Sequence, residues 1–198
     1  MAKNRHEVAT HYYSIEEYFG LEEAGDARFE YWDGDVVCMS GGTRRHGTIS
    51  SNVHACLALS SRGGPCRAFT ADTAVWTPTL PPYRYPDASV ACGELQFKRV
   101  RTLDALVNPV LIVEVLSPTT EIQDREAKFA AYQALPSFRE YLLISQDEMR
   151  LTHYTRQDGG VWQRRDITDL GEFLSLSSIT CVLSLADVYD GIDFSRPA

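Results

Sequence analysis

The chain has 198 residues, of which 44% are hydrophobic, 11% aromatic and 23% charged; this excludes a disordered, collagen-like or coiled-coil protein. It is long enough to bury a core as one domain, 1–198, without metal or disulfide staples. The 19 basic and 27 acidic residues give a net charge of -8, which argues against strong non-specific binding to nucleic acid, because neutralising phosphates takes clustered Lys and Arg.

Ser14-Ile15-Glu16-Glu17 fits a capping box and opens a short helix ending near Gly25. Residues 29–39 read as two strands around Asp33-Gly34, a dipeptide suited to the positive φ angles of a tight hairpin. From 44 to 61, Ile49, Val53 and Leu57 recur every four residues on one helix face, and Gly63-Gly64-Pro65 ends the element. Strands are expected at 67–77 and 85–92, separated by the proline-rich turn 78–82. Residues 109–117 form the most apolar strand; both its faces are apolar, so it should be central and covered. Thr120-Glu121-Ile122-Gln123 is a second capping-box pattern, starting a helix that runs to about Leu135 and stops at Pro136. Strands at 141–145, 150–156 and 161–167 suggest a meander, and 183–189 a short helix. The pattern is that of one α/β domain without repeats or linkers.

Apolar runs such as 110–113 are far too short to span a bilayer, and Met1-Ala2-Lys3-Asn4-Arg5 lacks the apolar stretch of a secretory signal, so a cytoplasmic protein with no membrane partner is expected. Five cysteines, none at C-x-x-C spacing, read as reduced core thiols. Charge is uneven: residues 1–40 carry 3 basic and 9 acidic groups, 41–110 carry 8 and 4, and 111–198 carry 8 and 14. Arg44, Arg45, Arg62, Arg67, Lys98, Arg99 and Arg101 could therefore line an anion-binding surface or form an ordinary solvated face.

Glu114 is the anomaly, a carboxylate inside Val110-Leu111-Ile112-Val113-Glu114-Val115-Leu116. Such a group is costly unless protonated, paired or bound to a cation. A buried ion pair with a neighbouring arginine would satisfy it, and so would a functional site. Asp87, after Pro86 at the start of the preceding strand, supplies a second acid near a sheet end. Together they make the hard oxygen set that Mg²⁺ prefers, and their carboxylates are expected to converge.

The following helix offers a cation. Glu114 lies three residues, about 10 Å, before the strand end. Lys128 lies eight helical residues, about 12 Å, beyond Thr120. A helix folding back along its strand brings Lys128 level with Glu114, with Asp124 and Tyr132 on the same face. The alternative is an exposed Asp124–Lys128 pair worth a few tenths of a kcal/mol.

Tyr85-Pro86-Asp87-Ala88-Ser89-Val90, the run from Pro109 through Ser117-Pro118-Thr119-Thr120, Asp124-Arg125-Glu126-Ala127-Lys128-Phe129-Ala130-Ala131-Tyr132 and Arg139-Glu140-Tyr141 resemble the Uma-two family of bacterial restriction-endonuclease-like proteins, in the PD-D/E-x-K nuclease superfamily. The resemblance covers roughly residues 14–190, including Phe29-Glu30-Tyr31-Trp32-Asp33-Gly34-Asp35 and Arg45-His46-Gly47. It implies an α/β, restriction-endonuclease-like core, a mixed β-sheet flanked by α-helices, with additional antiparallel hairpins. It also implies metal binding by Asp87 and Glu114, joined by the backbone carbonyl of Val115. The superfamily lysine would stand at Leu116, two residues after the second acid, so Lys128 is its candidate replacement from the helix. Glu30 and His46 are accessory candidates, and Asp72 a weaker one.

The activity implied is Mg²⁺-dependent endonucleolytic hydrolysis of DNA, with Mn²⁺ as an alternative ion, by a homodimer that supplies one site per strand. A catalytically inactive nuclease-fold protein, acting as an interaction or nucleic-acid-binding module, is the competing reading. A metal-dependent hydrolase of small phosphoesters is a third. Lys128 is expected to be partly exposed, so that its loss would leave folding nearly intact.

Overall fold

In the computed structural model, which describes residues 11–25, 27–39 and 42–195, the chain divides into two units, Met1–Gly41 and Gly42–Ala198. In the first, the Ser14 hydroxyl accepts from the Glu17 N–H at 3.2 Å while the Glu17 carboxylate accepts from the Ser14 N–H at 2.7 Å. This reciprocal cap starts α1 (Ile15–Ala24), which ends at Gly25 with φ 77°. β1 (Phe29–Trp32) and β2 (Asp35–Cys38) pair antiparallel across a turn in which Asp33 and Gly34 both take positive φ. The Tyr18 hydroxyl donates to the Phe29 carbonyl and ties α1 to β1.

In the second unit α2 (Arg44–Ser61) is capped by Thr43, and its Ile49, Val53 and Leu57 are fully buried, as their spacing requires. The central six-stranded sheet contains β3 (Cys66–Thr70), β6 (Ala88–Cys92), β9 (Pro109–Leu116), β10 (Glu140–Ser145), β11 (Leu151–Arg156) and β12 (Trp162–Ile167), in the order β12-β11-β10-β9-β6-β3. β9 and β10 are parallel, joined by a helical crossover, and the other neighbours are antiparallel. β9 is thus central and covered on both faces. Leu111, Val113 and Val115 pack with α2, whereas Ile112 and Leu116 pack with Tyr132, Leu135, Phe138 and Tyr141. Each such aliphatic burial contributes about 1.5–3 kcal/mol, which is the favourable background for placing Glu114 among them.

Smaller sheets complete the unit. β4 (Val75–Trp76), β5 (Tyr83–Arg84), β7 (Phe97–Val100) and β8 (Leu103–Leu106) form one of order β5-β4-β8-β7. β13 (Phe173–Leu176) and β14 (Cys181–Ser184) form a hairpin, followed by α5 (Leu185–Val188). The architecture is the expected α/β one, a mixed sheet flanked by helices with added antiparallel hairpins.

Several expectations change. The strand read at 67–77 is two, β3 and β4, in different sheets, with Asp72 exposed in the turn between them. Residues 85–92 contribute only β6, because Pro86 carries no N–H to pair and Asp87 spends its side chain on a neighbouring strand. The helix after β9 is not uniform: α3 (Glu121–Gln123) passes through a π-helical turn, Asp124–Lys128, into α4 (Phe129–Gln133). The Tyr141 hydroxyl donates to the Asp124 carbonyl at 2.9 Å, and a side-chain donor inserted at a helix carbonyl is a recognised cause of such local departures. No capping box forms there; the Thr120 hydroxyl instead donates to the Asp124 carboxylate at 2.8 Å. Nor are all five cysteines reduced, since Cys66 and Cys92, directly opposed on β3 and β6, form a disulfide.

Candidate active site

β6 and β9 set the two sequence-selected acids on adjacent strands. Ala88 pairs with Val113 in an antiparallel register, so Asp87, one residue earlier, falls opposite Glu114. The Asp87 Oδ2 accepts the Val115 backbone N–H at 2.6 Å, a charge-assisted bond that fixes the carboxylate at the carboxyl end of β9.

Glu114 is only 2% exposed, and its neighbours show why the chain tolerates it. Its Oε2 lies 3.2 Å from Lys128 Nζ, and its Oε1 accepts from the Tyr132 hydroxyl at 3.0 Å. Lys128, also 2% exposed, reaches Asp124 Oδ1 at 2.9 Å. The helix therefore does fold back along β9, and Lys128 stands level with Glu114. Its expected partial exposure is wrong, because the pairing that spacing suggested takes place inside the unit rather than on its surface. Asp124 and Tyr132 are the residues whose part in the site the sequence understated; their signal was the shared helix face with Lys128. Burial, followed by the charge of Glu114, raises the Tyr141 phenol well above its ordinary value, keeping it a donor to Asp124.

His46, in the first turn of α2, sets its Nε2 3.4 Å from Asp87 Oδ1. Burial works against its positive charge. The hydrogen bond and field of Asp87, then the Asp124 charge and a backbone hydrogen bond at Val115, outweigh this and raise its pKa above the ordinary value. His46, Asp87 and the Val115 backbone thus form one group, with Asp124, Lys128, Glu114 and Tyr132 beside it.

Glu30 lies in β1 of the amino-terminal unit and is buried. Several of the basic residues at 41–110 serve their own fold: Arg45 donates to the Asp193 carbonyl, Arg67 to the Gly64 and Cys66 carbonyls, and Arg99 pairs with Asp104, while Lys98 lies over the Trp76 ring.

Among the described residues, no group of three or more His, Cys, Asp and Glu side chains is arranged to hold a metal ion. The donors at hand are two carboxylates and a main-chain carbonyl, all hard oxygen. They fit Mg²⁺, which dehydrates reluctantly and needs only one or two carboxylates beside water and phosphate oxygens.

A family model described as "putative restriction endonuclease", Uma2, matches residues 15–186. Two proteins of Synechocystis sp., each described as uncharacterized, are similar along most of their length. One is 32% identical over 181 residues, covering 91% of this chain and 93% of the relative; the other is 31% identical over 146 residues, covering 74% and 82%. The crystal structure of a "putative nuclease belonging to DUF820" from Anabaena variabilis superposes with a TM-score of 0.68 at 18% identity, covering 92% of this chain and 98% of that one. That likeness shows a shared fold. With the match spanning both units and every segment that carries Asp87, Glu114 and Lys128, the chain belongs to the Uma2 family.

Proposed function

We propose that the protein is a Mg²⁺-dependent endonuclease that hydrolyses DNA phosphodiester bonds, with Mn²⁺ able to replace Mg²⁺. The observation that supports this reading is the register that sets Asp87 across from Glu114 on adjacent strands, with the Asp87 carboxylate on the Val115 N–H and a buried lysine at the second acid. Asp87, Glu114 and the Val115 carbonyl would hold the ion. When bound, it supplies Lewis-acid polarisation of the phosphodiester and makes water at the site a better nucleophile. Asp87 is kept in place by the Val115 N–H and His46. Lys128 faces the negative charge that develops as water attacks phosphorus in line and the bond to the leaving oxygen breaks, giving a phosphomonoester and an alcohol. The substrate test is a cleavage assay on supercoiled plasmid, linear duplex and single strands with Mg²⁺ and with Mn²⁺. Cation-dependent cleavage of duplex supports the reading; no cleavage of any substrate contradicts it.

A second reading, an inactive nuclease-fold interaction module, is favoured by one observation: both Glu114 oxygens already accept hydrogen bonds within the chain. A protein of that kind would bind no divalent cation at this place.

Cutting both strands calls for two sites, which a C2 homodimer supplies most simply. Light scattering at high micromolar concentration should therefore give twice the 22.2 kDa chain mass. A monomer would contradict the dimer and point to nicking.

A further inference from the structure

We infer that Asp124 is a positioning residue that holds Lys128 when Glu114 is given over to a divalent cation; this rests on the metal-dependent reading above. The geometry starts with the ammonium. Lys128 Nζ sits between two carboxylates, 2.9 Å from Asp124 Oδ1 and 3.2 Å from Glu114 Oε2, and all three side chains are buried. In this arrangement the lysine neutralises Glu114 at the place where a metal ion would otherwise do so. Two positive centres on one buried carboxylate repel strongly where the effective dielectric is low. Lys128 must therefore loosen its hold on Glu114 as the ion is taken up.

Asp124 decides where the ammonium goes. Its carboxylate is independently fixed: Oδ2 accepts from the Thr120 hydroxyl at 2.8 Å, and its backbone carbonyl accepts from Tyr141. The π-helical turn that starts at Asp124 and ends at Lys128 sets both residues on the same side, facing β9. A π-turn carries a cost relative to regular helix and is frequently retained at functional sites. Asp124 thus keeps the charge of Lys128 balanced and close by, in reach of a substrate phosphate, instead of leaving it to compete for Glu114. Without Asp124 the ammonium leans on Glu114 more strongly, and cation affinity falls.

This coupling is measurable without turnover. Mn²⁺ is titrated calorimetrically into the full-length parent, Asp124→Asn, Lys128→Gln and the double variant, each first checked for folding by circular dichroism. Asp124→Asn keeps an acceptor for Thr120 and should weaken Mn²⁺ binding about 10-fold, because the repelling lysine moves closer to the ion. Lys128→Gln should bind at least as tightly as the parent. In the Lys128→Gln background, adding Asp124→Asn should change little. Equal affinity in parent and Asp124→Asn overturns the inference. So does a loss that persists undiminished in the Lys128→Gln background, since Asp124 would then act on the ion directly.

If Lys128→Gln does not fold, Asp124→Glu decides. It retains the negative charge and should recover the parent affinity and, at saturating Mn²⁺, the parent kcat for plasmid cleavage, both lowered in Asp124→Asn. Failure of Asp124→Glu to recover either overturns the inference. A parent that binds no Mn²⁺ overturns the metal-dependent reading itself, and this inference with it. A parent that binds Mn²⁺ regardless of the residue at 124 overturns the inference alone.

Discussion

Lys128→Ala is expected to lower plasmid cleavage by on the order of 10²-fold or more, the usual consequence of deleting one preorganised charge from a site that stabilises developing negative charge. It should also cost stability. Lys128 is buried against Glu114 and Asp124, and removing one member of a buried ion cluster leaves carboxylates without compensation, typically at about 3–5 kcal/mol. The gain in helix propensity from alanine is only a few tenths of a kcal/mol and cannot offset that loss. Urea denaturation gives the stability change, and turnover per folded molecule then separates chemistry from folding. A variant as stable as the parent would contradict the buried cluster; one that cleaves as fast per folded molecule would contradict the catalytic role.

The second large effect lies at Glu140, away from the catalytic group. Glu140 is fully buried and would be costly if unpaired. Burial pushes its carboxyl up, but His153 at 2.9 Å, the Ser178 hydroxyl and the N–H groups of Ser178 and Ser177 outweigh burial and bring its pKa down from 4.5 to about 2. These contacts anchor the segment between β13 and β14 to β10 and β11. Because the folded-state pKa is depressed, the stabilisation is present above the unfolded value and lost as pH falls from about 4.5 through about 2. The shift corresponds to about 3 kcal/mol. Glu140→Gln should therefore be less stable than the parent by about that amount at pH 6, with the difference shrinking towards pH 2. Urea unfolding across this range checks it, and a gap independent of pH would contradict the assignment.

The parts of the fold legible in sequence are those where local chemistry and the core agree. The Ile49, Val53 and Leu57 face of α2 and the doubly apolar β9 both follow from periodicity. The β7–β8 hairpin left no such mark. Its first strand is largely exposed and has no apolar alternation, and its turn puts Arg101 at φ 52°, with no glycine or asparagine to announce the positive φ. β13 and β14 were hidden for a related reason, since the intervening Ser177-Ser178-Ile179-Thr180 lacks a turn-forming glycine and is held by long-range bonds to Glu140.

The site was legible to a similar degree. Glu114 stood out because a carboxylate in an apolar strand demands a partner, and helix rise located Lys128 without any contact information. Whether an i,i+4 Asp–Lys pair faces solvent or a strand is decided by tertiary packing, so the burial of Asp124 and Lys128 could not be read. The π-turn, whose Asp124 carbonyl accepts from Tyr141 on another element, was invisible for the same reason.

Under the proposed function, Asp87 and Glu114 form a cation-dependent phosphodiesterase site. The most direct measurement compares parent and Asp87→Ala, matched for folding, in supercoiled plasmid cleavage across a Mg²⁺ titration. Cleavage by the parent should rise with Mg²⁺ and be abolished by chelation, and Asp87→Ala should lose at least about 10²-fold at every Mg²⁺ concentration. Cleavage by Asp87→Ala at the parent rate, or cleavage by the parent that is indifferent to chelation, would contradict the proposed function.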